Sequence, residues 1–293
     1  MAIGIEGLGL LAHARATGAD FTRIVTAGRH NLGMRQDQLS KFFNERKRQD
    51  LALQLRDERP EGYCETLLKT AFGAEVVDSI DASSYENATL IHDMNTPIAI
   101  GGDYGLVLDF GTLEHVFNLA TAFDNLERLC APNGRILHMS PCNNFAGHGF
   151  YQFSPELFFR IYAPERGFIN TTVYLTSICP SPYWYQVRDP SELKARVNLT
   201  SREQLLILVM TTKSGAPNPL ATHAVQQSDY SSKWNDDERG GSENQSGLKA
   251  LERKIRNVFP GTTHRHKVRR KDVKRHSRKD ISRVNLLQLV PNF

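Results

Sequence analysis

Over roughly the first two hundred residues of this 293-residue chain, short β-branched and aliphatic runs alternate with stretches whose apolar positions recur every three to four residues. That alternation predicts a parallel sheet with crossover helices. The first strand is expected at residues 23–27, stopping at Gly28. Helical, charged patterning follows over residues 36–56, and a second helix over residues 63–72. Three further strands are expected at residues 74–80, 89–92 and 104–108, each closed by an acid: Asp81, Asp93 and Asp109. Leu119, Ala122, Phe123, Leu126 and Leu129 then fall on one helical face, and Pro132-Asn133-Gly134 turns the chain into a fifth strand at residues 135–139.

Beyond it, residues 143–153 form a glycine- and aromatic-rich loop. Ser154-Pro155-Glu156 reads as a helix start, with Ser at the cap and Pro at the first helical position. Two late strands, residues 171–178 and 204–211, are expected to finish the sheet as an antiparallel pair. The fold class is therefore α/β, Rossmann-like, mostly parallel, with helices on both faces. Residues 3–14 end in Ala12-His13-Ala14, which mimics a signal-peptidase site. No basic segment precedes them and Glu6 interrupts the apolar run, so a short helix leading into the first strand is the expectation.

Composition adds a division of charge. The formal charge is +4, yet residues 249–283 hold fourteen Lys or Arg against three acids, a local +11 that leaves −7 for the remainder. The chain thus divides into a domain at 1–213, a polar linker or surface excursion at 214–247, where Tyr230 and Trp234 are candidate anchors, and a basic extension at 248–293. The basic extension reads in three ways: a solvated surface, an attachment to anionic lipid, or a phosphate contact with nucleic acid. Its lack of interleaved aromatics argues against the last. Cys64, Cys130, Cys142 and Cys179 are scattered without a CxxC pair, so neither a disulfide framework nor a zinc site is expected and a reducing, cytoplasmic setting is. His264, His266 and His276 are flanked by cations, so no metal is expected there either.

Candidate chemistry gathers at the carboxyl ends of the strands, where open parallel sheets bind ligands. Asp81, Asp93 and Asp109, spaced by 12 and 16 residues, could accept hydrogen bonds from ribose hydroxyls or an adenine amino group. His115, Glu114, His148 and Tyr151 lie on the same side and are candidate bases or acceptor contacts. Asn143 and Asn144 could orient an acceptor or cap the turn, and Tyr183-Trp184-Tyr185 could stack on a ring or pack in the core.

These residues carry a resemblance. Residues 74–140 resemble the central part of class I S-adenosylmethionine-dependent methyltransferases. Val77-Asp78-Ser79-Ile80-Asp81 looks like the end of their second strand, Ile91-His92-Asp93-Met94-Asn95 like their third-strand motif, and Leu108-Asp109-Phe110-Gly111-Thr112-Leu113-Glu114-His115-Val116 like their fourth. The run from Gly147 to Leu157 (GHGFYQFSPEL) resembles a bacterial subgroup of the family. The resemblance implies S-adenosylmethionine as cofactor, held by Gly28, Asp81, Asp93, Asp109 and Gly111, with His115, His148 and Tyr151 as catalytic candidates. It also implies methyl transfer to a small-molecule or glycan-type acceptor. The alternative is a methyltransferase-like scaffold that binds partners without catalysis. One departure stands out: the family's glycine-rich first turn corresponds to Thr26-Ala27-Gly28-Arg29-His30-Asn31-Leu32-Gly33, which keeps Gly28 but places Arg29 and His30 where small residues are the rule. A bulkier, more cationic turn is the expectation.

Overall fold

A computed structural model describes residues 2–57, 62–178, 183–193, 196–197, 199–220, 222–223, 225–231, 274–275 and 281–290. Its backbone follows from the alternation of side chains on extended segments, because consecutive residues of a strand face opposite sides of the sheet. Ile24, Leu106, Leu108, Leu137 and Leu208 point to one core, and Val25, Val107, Ile136, Ile207 and Val209 to the other. Strands with both faces apolar need cover on both sides, and the helices supply it.

In chain order the elements are β1 (Ala2–Ile3), α1 (Ile5–Ala16), β2 (Arg23–Ala27), β3 (Asn31–Leu32), α2 (Gln36–Asn44), α3 (Gln49–Asp57), α4 (Glu65–Phe72), β4 (Val76–Asp81), β5 (Leu90–Ile91) and β6 (Tyr104–Asp109). They continue with a 3₁₀ turn (Leu113–His115), α5 (Leu119–Leu129), β7 (Cys130–Asn143), α6 (Pro155–Ile161), β8 (Phe168–Ser177), β9 (Tyr183–Val187), α7 (Pro190–Leu193), β10 (Leu199–Thr200), β11 (Leu205–Lys213), β12 (Lys274–Arg275), β13 (Ile281–Asn285) and α8 (Leu286–Leu289). The main sheet has the order β13-β9-β8-β11-β7-β6-β2-β4-β5. From β5 to β7 all pairings are parallel, and from β7 outward they are antiparallel. This is the expected Rossmann-like α/β fold with its late antiparallel strands. Helices α1 to α4 bury Leu8, Leu11, Phe43, Leu55, Leu67 and Phe72 in the first core; α5 and α6 bury Phe123, Leu126 and Phe158 in the second.

Several boundaries differ from the sequence reading, each for a local reason. The helical stretch 36–56 is two helices, broken where Lys47 adopts φ +61° and the Arg48 N–H turns back to the Phe43 carbonyl. Ser154 precedes α6 but makes no side-chain capping bond. Trp184 is fully buried in β9, so Tyr183-Trp184-Tyr185 is part of a strand paired on both sides and packed on the core, not a free stacking surface. Residues 281–290, read as part of a basic extension, return to the main sheet: β13 pairs with β9, and Leu286 of α8 lies against Gly9 of α1. The excursion after β11 is also tied down at its start, where the Leu220 N–H donates to Asp124 and the Ser228 N–H to Glu156. Trp234, Cys179 and most of the basic segment lie outside the described residues. Among the described residues no helix is long and apolar enough to cross a membrane.

One polar chain runs through the second core. Asp109 and His138 face each other across β6 and β7. The Asp109 carboxylate accepts from His138 Nδ1 at 2.8 Å, and His138 Nε2 accepts from the Tyr162 hydroxyl at 2.7 Å, all three residues being fully buried. Burial pushes the Tyr162 phenol well up, keeping it a donor. The other Asp109 oxygen accepts the N–H groups of Thr112 (3.0 Å) and Leu113 (3.2 Å), closing the turn after β6. Removing one member leaves a buried partner unpaired, which costs about 1–3 kcal/mol for a neutral group and more for a charged one. Tyr162→Phe should therefore lower unfolding free energy by about 1–3 kcal/mol in urea titrations, and Asp109→Ala by more. Unchanged midpoints in both variants would contradict the assignment.

Candidate functional site

The strand order reverses between β2 and β6. From β2 the chain steps outward to β4 and β5, then crosses back to β6 on the other side. At such a switch point the connecting loops diverge and leave a crevice beyond the strand ends.

On the β2 side the turn is built on Gly28, whose φ of +74° is one that a side chain disfavours. Its N–H donates to the Ile80 carbonyl at 2.6 Å, which sets the turn directly beside Asp81. Arg29 lies flat over the Tyr63 ring (3.9 Å), pairs with Glu65 at 2.6 Å and donates to the Glu86 carbonyl at 2.9 Å. His30 is fully buried. Its Nε2 accepts the Phe110 N–H at 3.3 Å, and burial pulls the imidazole down to about 4, so it is neutral at ordinary pH. The turn is bulkier than a glycine-rich one, as expected, but the extra charge is not there. Arg29 is neutralised by Glu65 and His30 carries none, which corrects the expectation of a more cationic turn.

The three strand-end acids are in unlike environments. Asp81 ends β4 half-buried, accepting the Ser83 N–H at 3.2 Å. Asp93 is exposed and accepts both the backbone and side-chain N–H groups of Asn95, at 2.9 and 2.8 Å, which hold its carboxyl below the usual range. Asp109 is fully buried, and both of its oxygens are taken by His138, Thr112 and Leu113. Gly111, at φ +94°, makes the turn that follows, and the Thr112 hydroxyl donates to the Ala27 carbonyl, tying β6 to β2.

On the β6 side the 3₁₀ turn presents Glu114 and His115. Glu114 is 1% exposed, and burial, reinforced by the charge of Asp109, pushes its carboxyl up to about 8. Its Oε2 has no partner among the described residues, while Oε1 lies 3.5 Å from His148 Nε2. The His115 and His148 rings meet edge to face at 4.9 Å, and the crowded surroundings together with His148 hold His115 below the ordinary imidazole range. The aromatic loop reaches this spot because the Glu114 carbonyl accepts the N–H groups of Phe150 (2.7 Å) and Tyr151 (3.3 Å). Gly149 is required there: its φ is +66°, and an added Cβ would stand 2.7 Å from the Glu114 oxygen. The Tyr151 hydroxyl donates to the Phe117 carbonyl at 2.9 Å, so it fastens the loop, and the exposed rings of Phe117 and Phe150 form its rim. The ligand atoms of Glu114, His115 and His148 lie within 4.8 Å of one another, a grouping able to hold a divalent cation.

The structure therefore joins His115, His148 and Tyr151 around Glu114, and sets Gly28 beside Asp81. Asp93 stands apart on the surface, and Asp109 faces inward. Asn144 bonds the Ser201 and Glu203 carbonyls, so it pins the loop before β11. His138 and Tyr162 were missed by the sequence reading. The available signal was register: His138 sits in the fifth strand at the level where Asp109 ends the fourth.

No protein-family model matches the chain, and no curated protein does. Among solved structures it is similar to the N-methyltransferase NodS from Bradyrhizobium japonicum WM9, crystallised with S-adenosyl-L-homocysteine, at 13% identity and TM-score 0.36, covering 71% of this chain and 85% of that one. It is also similar to a possible histamine N-methyltransferase from Thermotoga maritima, at 12% identity and TM-score 0.36, covering 70% and 89%. A third is 1,6-didemethyltoxoflavin-N1-methyltransferase from Burkholderia thailandensis, at 10% identity and TM-score 0.35, covering 71% and 77%.

Proposed function

We propose that the chain is an S-adenosylmethionine-dependent methyltransferase acting on a small-molecule or glycan-type acceptor. The observation that carries the reading is the strand-order reversal between β2 and β6, with the Gly28 turn after β2, Asp81 beside it at the end of β4 and the Glu114 cluster after β6. The residues at the β4 end fit the cofactor's nucleoside. Asp81 is half-buried, a suitable acceptor for ribose hydroxyls, and Gly28 lets the backbone pass close. Asp93, exposed at the end of β5, is available to the adenine edge. Asp109 has no oxygen left for a ligand, so its contribution is to hold the β6 turn and, with Gly111, to set the crevice wall.

When bound, S-adenosylmethionine supplies an electrophilic methyl carbon. The chain's part is to orient the acceptor in line with it and to take the proton the acceptor loses. Glu114 is suited to the second task in its ionised form, which a carboxyl pushed up to about 8 reaches near that pH, and which is then a stronger base than an ordinary carboxylate. His148, 3.5 Å from it and half-exposed, relays that proton outward, with His115 alongside. Phe117 and Phe150 give the acceptor an apolar platform, and Tyr151 keeps that platform attached.

Calorimetric titration with S-adenosyl-L-homocysteine tests the reading. Binding is expected, and Asp81→Ala should weaken it by about tenfold or more, the loss of a charge-assisted hydrogen bond. No heat at millimolar ligand would sink the proposal and favour the non-catalytic scaffold. Stability against pH tests Glu114 separately. Its carboxyl binds a proton in the folded state up to about 8, whereas the ordinary value is 4.5. Between those values the folded state holds the extra proton, so this group's contribution to stability falls as pH rises through the window. Glu114→Gln should flatten that decline in urea unfolding; an unchanged slope would remove Glu114 from the account.

A further inference from the structure

After β6, one buried carboxyl and two exposed imidazoles converge. The ligand-capable atoms of Glu114, His115 and His148 all lie within 4.8 Å of one another. Glu114 and His115 are consecutive in the 3₁₀ turn, so their closeness is local. His148 is brought in by the aromatic loop, which is held on both sides of it. The Phe150 and Tyr151 N–H groups donate to the Glu114 carbonyl, and the Phe145 N–H donates to Gln152 Oε1 at 2.9 Å. The His148 ring is flanked by Phe145, centroids 6.0 Å apart, and by His115 at 4.9 Å.

The spacing suits a shared cation better than a hydrogen bond. Glu114 Oε1 and His148 Nε2 are 3.5 Å apart, beyond the roughly 2.7–2.9 Å of a charge-assisted hydrogen bond. Two atoms each about 2.1 Å from one tetrahedral ion stand roughly 3.4 Å from each other. Rotation of the exposed His115 ring closes what remains of the 4.8 Å. The carboxylate also needs a counter-charge. Glu114 is 1% exposed, and no donor among the described residues reaches its Oε2. An ionised carboxylate so placed persists only when compensated, and a divalent ion on Oε1 compensates it.

The donor set names the class of ion. Imidazole nitrogen suits zinc and its neighbours among the transition metals, whereas magnesium and calcium favour oxygen-rich sites. Three protein ligands leave a coordination position open, and the two exposed histidines put it on the solvent side.

We propose that Glu114, His115 and His148 hold one divalent transition-metal ion of the zinc class, with an open position for an oxygen or nitrogen ligand. Binding of the ion does not rest on methyl transfer. Glu114 cannot hold a cation and a proton at once, so its proton-accepting role belongs to the metal-free chain; in the loaded chain the ion stands where the proton would.

Cobalt(II) is the probe, because unlike zinc it absorbs visible light and its bands report its coordination. Titrating the full-length protein with cobalt chloride should give bands that zinc displaces and that about a hundredfold excess of magnesium does not. A variant carrying His264→Asn, His266→Asn and His276→Asn should keep them and saturate at one ion per chain, which separates this site from the histidines of the basic segment. In that background His115→Gln, His148→Gln and Glu114→Gln should each weaken cobalt binding by about tenfold or more. The two histidines are exposed, so their variants keep the test decisive if Glu114→Gln does not fold. Undiminished affinity in both His115→Gln and His148→Gln would overturn the proposal. Loss of the bands in the triple variant, or their displacement by magnesium, would do the same. No S-adenosyl compound enters the titration, so its failure and a failure to bind S-adenosyl-L-homocysteine are told apart.

Discussion

The buried carboxylate of Asp109 is the group on which the rest of the crevice depends. It stands at the end of β6, out of water, and a charge in that position persists only when several donors surround it. Those donors come from three places: the turn that follows it, the neighbouring strand β7 through His138, and, beyond His138, the Tyr162 hydroxyl at the end of α6. One negative charge therefore fixes the position of a loop, a strand and a helix relative to the sheet edge. It also sets the electrostatics next door, because Glu114 is buried within its field and is pushed towards the protonated form.

The two acids are thus separated in role by environment, not by residue type. Asp109 has both oxygens taken by hydrogen bonds, whereas Glu114 has an oxygen without a partner among the described residues and its carboxyl is pushed up by burial. Divergent environments for neighbouring titratable groups are how one site holds both a fixed charge and an exchangeable proton. The aromatic loop completes the arrangement at little cost in backbone strain, since Gly149 supplies the one conformation and the one clearance that the Glu114 carbonyl demands.

Much of this was legible in the chain. The apolar runs before Gly28 and Asp109 became strands because two-sided burial selects such residues strongly, while those before Asp81 and Asp93 lie toward the sheet edge and are only partly buried. The late strands were legible for the same reason. Tertiary partners were not. Arg29 and His30 read as added positive charge, yet Glu65, 36 residues on, neutralises the first and burial against Phe110 discharges the second. Nothing local distinguishes Asp81, half-buried at the end of β4, from Asp109, spent on His138, because the difference is made by a residue 29 positions later. The return of residues 281–290 to the sheet was hidden by the basic composition of the segment before them. Strand-forming Ile281 and Val284 were there to be read.

The central claim is that Glu114 is a buried carboxyl held protonated at neutral pH. A ¹³C titration of glutamate side-chain carboxyls in the labelled protein, with Glu114 assigned by its absence in Glu114→Gln, measures this without a cofactor or an acceptor. The account predicts that one glutamate titrates near 8 and disappears in that variant. A Glu114 carboxyl titrating at the ordinary 4.5 would contradict it.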